Sequence, residues 1–88
     1  MPLAGLAEAS AVTVCVECSV AMGSIGFALV REGRHVSREI VVEARTGSQQ
    51  LHLTTSSFGE GVRLVTRNAS ALGAGRFTVT SITMREAL

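Results

Sequence analysis

The chain contains no tryptophan, no tyrosine, no lysine and no aspartate. Without Trp or Tyr there is no broad stacking platform for a nucleobase or a sugar ring. Aromatic rings occur only at Phe27, Phe58 and Phe77. Without Asp, a nucleophile–histidine–aspartate set cannot be assembled, and His35 and His52 sit in no recognisable catalytic motif. All eight basic residues are Arg and all seven acidic ones Glu, for a formal net charge of +1. No strong field therefore draws nucleic acid or anionic lipid. The arginine-only basic set reflects either a codon bias towards Arg, Ala, Gly and Val or selection for forked guanidinium contacts at an interface.

Other absences narrow the field further. No apolar run approaches the roughly 20 residues of a membrane-spanning helix. Residues 1–10 lack a cationic leader region, and Glu8 interrupts them, so they read as an N-terminal arm and not a signal peptide. Cellular location is left open. Glycines occur in turns or strands, and Gly73-Ala74-Gly75 precedes a strand, so no phosphate loop opens a helix. The two cysteines, Cys15 and Cys18, form a C-x-x-C inside an alternating run. In a strand, residues three apart point to opposite faces. The pair cannot converge on a metal without a break in the strand, so no metal and no cofactor is expected. Cys18 reads as a small buried hydrophobe. Glu39 and Glu43, on one strand face about 13 Å apart, suit a solvated face and not an acid/base pair.

What the chain does have is periodicity. Of its 88 residues, 47% are hydrophobic, and mean hydropathy is +0.38, far from a disordered composition. Val12, Val14, Val16, Cys18, Val20 and Met22 alternate with Thr13, Cys15, Glu17, Ser19 and Ala21, which predicts a strand over 11–22. Further strands are predicted over 25–32, 35–45, 49–56, 62–68 and 76–84, separated by Gly-containing turns such as Glu32-Gly33-Arg34. The second has apolar residues on both faces, which predicts cover on both sides. In the last, Phe77 and Val79 have one parity, and Ile82 and Met84 the other. That switch predicts a β-bulge near Thr80-Ser81.

These six strands predict an all-β fold, an antiparallel β-sandwich over residues 11–86 with a tail at 87–88. A domain this small buries only about 60–65% of its unfolded surface and is marginal alone. The candidate interaction residues are Phe58, in a glycine-flanked loop, and the exposed Arg63 and Arg67. With Arg76 and Arg85 these arginines would form a small basic patch.

The runs Leu51-His52-Leu53-Thr54-Thr55 and Val62-Arg63-Leu64-Val65 are followed by Arg76-Phe77-Thr78-Val79-Thr80-Ser81-Ile82-Thr83-Met84-Arg85-Glu86. In that order they resemble the end of jelly-roll domains similar to carbohydrate-binding modules. Such domains are appended to phage tail proteins and to enzymes of surface polysaccharides. The resemblance implies a jelly-roll sandwich with glycan as a possible ligand. The missing Trp and Tyr, and Thr80-Ser81 where the family carries Asp or Asn, make it bear on fold more than on sugar binding. Six strands are also few for a jelly roll of about eight, which implies open edges. The expectation is a non-catalytic structural or protein-interaction module, acting as a homo-oligomer or in a larger assembly such as a virion. A carbohydrate-binding accessory module is the alternative, and a non-catalytic subunit of an enzyme complex the third reading. Neither nucleic acid nor a membrane is expected as a partner.

Overall fold

The computed structural model describes residues 11–56, 59, 61–70 and 73–86, without the side chain of residue 86. Among them the only regular elements are strands: β1 (Val12–Met22), β2 (Ser24–Arg31), β3 (Arg34–His35), β4 (Ile40–Glu43), β5 (Gln49–Thr55), β6 (Arg63–Asn68) and β7 (Arg76–Glu86). They form two antiparallel sheets. In one, β1 lies between β5 and β7. In the other, β2 lies between β6 and the pair β3 and β4, which follow each other along its opposite edge.

β1 shows why this chain makes sheets. Its β-branched residues suit a pleated, half-buried surface, and Val12, Val14, Val16, Cys18 and Val20 are all fully buried, while their neighbours face outward. Ile25, Phe27 and Leu29 of β2 meet them from the other sheet with Val42 of β4 and Leu64 of β6, while Leu51 and Leu53 of β5, beside β1, and Val62 complete the same core. Phe77 crosses the layers to Phe27, edge to face, with ring centroids 5.6 Å apart. Phe77, Val79, Ile82 and Met84 of β7 pack against this core but remain only half-buried.

The two sheets are linked at a corner. Gly23 joins β1 to β2 with φ +75°, and a Cβ there would collide with Ser70 Oγ and the Ala74 carbonyl. The Ser24 N–H donates to Ser70 Oγ at 2.9 Å, and the Ala44 N–H to the Gly23 carbonyl at 2.9 Å. At the far end of β2, Glu32 and Gly33 both have positive φ, +53° and +76°. A two-residue hairpin turn of this hand matches the twist of its flanking strands.

The bulge lies where the parity switch places it. Glu17 pairs with Ser81 and Cys18 with Val79, which leaves Thr80 as the extra residue. Its hydroxyl donates to the Glu17 carbonyl at 3.1 Å. A second irregularity leaves Ala21 unpaired between Val20 and Met22. This corrects the expected position of Met22, which leaves the inner face and is 46% exposed.

The strand expected over 35–45 is not continuous. The Val36 N–H reaches the Leu29 carbonyl at 2.9 Å, but the Leu29 N–H is taken by Ser37 Oγ, also at 2.9 Å. A serine hydroxyl thus replaces a backbone carbonyl in the ladder, and pairing resumes only at Ile40. Ala44, placed on the inner face by an unbroken strand over 35–45, lies beyond the paired segment of β4 and is exposed, and Thr66, which pairs with Phe27 within β6, is exposed as well.

Candidate interaction site

Arg63 and Arg67 both lie on β6 and point away from the core. Arg63 is exposed opposite Val30 of β2. Arg67 stands opposite Gly26, and Gly26 in turn pairs with Val41 of β4. The Arg67 side chain reaches across β2 to Glu39 in a bidentate pair, Nε to Oε2 and Nη2 to Oε1, both 2.6 Å. This is the fork-to-carboxylate geometry that Arg favours. A Cβ on Gly26 would lie 2.8 Å from Glu39 Oε2 and 3.3 Å from Arg67 Cγ. The missing side chain is therefore what lets the ion pair lie flat over the strand.

The electrostatics follow from that contact. The hydrogen bond from Arg67, chiefly, holds the Glu39 carboxyl below its ordinary value, with smaller help from the charges of Arg67 and His35. Burial opposes it, by more than either charge alone assists. Arg67 is raised correspondingly. Glu39 is thus not a solvated partner of Glu43 on a common face: it falls in the break before β4 and its side chain is only 22% exposed. Sequence reading missed this pair, although an isolated glycine inside a strand is a recognised sign of close approach.

The four arginines do not form one patch. Arg63 and Arg67 lie on β6 of one sheet, and Arg76 and Arg85 at opposite ends of β7 in the other. Phe58, the third candidate, lies outside the described residues.

The outward face of the β5-β1-β7 sheet is polar and internally bonded. Thr13 and Thr54 share a hydroxyl hydrogen bond at 3.1 Å, and Gln50 Nε2 donates to Glu17 Oε2 at 3.4 Å. His52 pairs in register with Cys15, which pairs with Thr83. Cys15 looks outward while Cys18 is fully buried, so the C-x-x-C does divide between the faces. Burial pushes the Cys18 thiol up. His35 and His52 are both exposed. A cleft of about 440 Å³ opens between β4 and β5, lined by Arg38, Glu39, Ile40, His52, Leu53 and Thr54. Of its charged groups Glu39 is already engaged by Arg67, which leaves the cleft without a convergent acid/base set.

Asn68-Ala69-Ser70 has a local role. The Ser70 N–H donates to Asn68 Oδ1 at 2.9 Å and Asn68 Nδ2 to the Gly73 carbonyl at 3.1 Å. The side chain of Asn68 is used to turn the chain out of β6. No family model matches the chain, and neither does any curated protein or solved structure.

Proposed function

We propose that this chain is a non-catalytic structural or interaction module of jelly-roll type that works as an oligomer or inside a larger protein assembly, such as a virion or a surface assembly. The observation that carries this reading is the pairing pattern. An eight-stranded jelly roll folds two Greek keys into two sheets. Without its first two strands, the first remaining strand lies between the fourth and the sixth, and the second between the third and the fifth. Counting β3 and β4 as one interrupted strand, β1 lies between β5 and β7, and β2 between β4 and β6. The two strands of that pattern not found among the described residues would flank β6 and β7. Those outer edges carry backbone groups with no strand beside them among the described residues, and an uncovered edge is a template for another chain.

Sedimentation of the full chain tests this. The expected result is a species heavier than the 9.2 kDa of one chain at micromolar concentration. A single 9.2 kDa species up to about 100 μM, in the range where specific interfaces are populated, would sink the oligomeric reading.

A further inference from the structure

Resting on that reading, we propose that β7 pairs antiparallel with β7 of a second copy, across a two-fold axis, in a register centred between Thr80 and Ser81. Residues 76–85 read Arg-Phe-Thr-Val-Thr-Ser-Ile-Thr-Met-Arg. By chemical type this is a palindrome: arginine, apolar, threonine, apolar, hydroxyl, then the same in reverse. Self-pairing about its centre sets Phe77 against the partner's Met84, Thr78 against the partner's Thr83, Val79 against the partner's Ile82 and Thr80 against the partner's Ser81. A closed two-fold contact requires such self-complementarity.

A regular strand could not use this palindrome. Its length is even, and in an unbroken strand Phe77 and Met84 would project from opposite faces. The extra residue at Thr80 restores them to one face, since Phe77, Val79, Ile82 and Met84 all pack towards the core. Sequence symmetry and bulge therefore fit each other.

Comparison with the opposite edge gives an independent reason. On β5 the core residues Leu51 and Leu53 are buried already, at 6% and 1% exposure. On β7 all four apolar side chains remain half-buried, as if a neighbouring strand were absent. Residues 77–84 carry no charge and no proline, two of the devices that protect an edge. β6, by contrast, carries Arg63 and Arg67, and β4 is four residues long.

The register brings one unfavourable contact: Arg76 stands opposite the partner's Arg85, twice by symmetry. Like charges directly opposite across strands oppose pairing, and opposite charges favour it. Arg85→Glu is therefore expected to tighten self-association several-fold to about tenfold. The double change Arg76→Glu with Arg85→Glu is expected to return it near the wild-type value. Added salt is expected to tighten the wild-type dimer and loosen the Arg85→Glu dimer.

Cross-linking reads the register itself, in a Cys15→Ser background because Cys15 neighbours Thr83. Thr78→Cys chains mixed with Thr83→Cys chains should cross-link under mild oxidation by diamide, while neither variant alone should do so. Cross-linking within a single variant, or none in the mixture where sedimentation shows a dimer, overturns the register. An oligomer whose affinity is unmoved or weakened by Arg85→Glu overturns pairing through β7 and leaves the oligomeric reading standing. A chain that stays monomeric removes both.

Discussion

β1 and β2 are consecutive, each is the centre of its sheet, and only Gly23 separates them. They are nevertheless buried differently. β1 is buried on one face, and its other face carries Thr13, Glu17 and Ser19 half-exposed. β2 is buried on both, because Gly26 and Ala28 are covered as well as Ile25, Phe27 and Leu29. On β1 alternation within the strand settles which side is wet. On β2 it does not, since part of the cover comes from elsewhere in the chain: the Glu39 carboxylate and the Arg67 stem close over Gly26. A small residue on an outward face is thus a place where another element can come down.

The largest disturbance should follow from emptying the position both sheets share. Phe27→Ala removes a fully buried ring in contact with Phe77 and should cost about 3–5 kcal/mol, read as a lower urea midpoint. Next comes a direct contrast of the two outward faces. Ala28→Glu places a carboxylate where exposure is now 1% and should cost about 1–3 kcal/mol or more. Thr13→Glu, on the corresponding face of β1, should stay within about 0.5 kcal/mol of the parent. Equal costs would erase the distinction between the strands.

Gly26→Ala tests the cover itself. The new Cβ meets a carboxylate that must move, with a cost of about 1 kcal/mol. In Gly26→Ala combined with Glu39→Ala that obstacle is gone, so the second glycine change should be neutral or stabilising against Glu39→Ala alone. The smallest effect is electrostatic. Because Arg67 holds the Glu39 carboxyl below its ordinary value, folding favours the ionised form. The stabilisation is present above the unfolded-state value and is lost as pH falls through the lower folded-state value. Glu39→Gln should flatten that part of the urea-midpoint profile between neutral and acid pH.

The same contrast explains what could be read from the residues alone. All of β1 but its end was legible, because Val at every second position states a buried face directly. The bulge was legible because Val79 and Ile82 differ in parity. The interruption after His35 was not, since Ser37 acts through a hydroxyl that mimics a carbonyl, and a serine in an alternating pattern looks like any outward residue. The Glu39–Arg67 pair joins residues 28 positions apart, and no local period records it. Met22 was misplaced because the irregularity at Ala21 carries no mark in side-chain type. Of the candidate site, Arg63 and Arg67 were rightly exposed, but that Arg67 is already occupied depends on that long-range partner.

The bulge at Thr80 also bears on how the chain comes to fold. Thr80 and Glu17 are 63 positions apart, so the valine-rich β1 gains its second neighbour only when β7 arrives. Until then the spine of one layer waits with an open ladder, and such distant pairing belongs to the slow, millisecond-to-second class of folding. During synthesis an unpaired β1 is open to wrong pairing. Its protection in that interval depends on β5, whose seven residues match Val12 to Cys18 one for one.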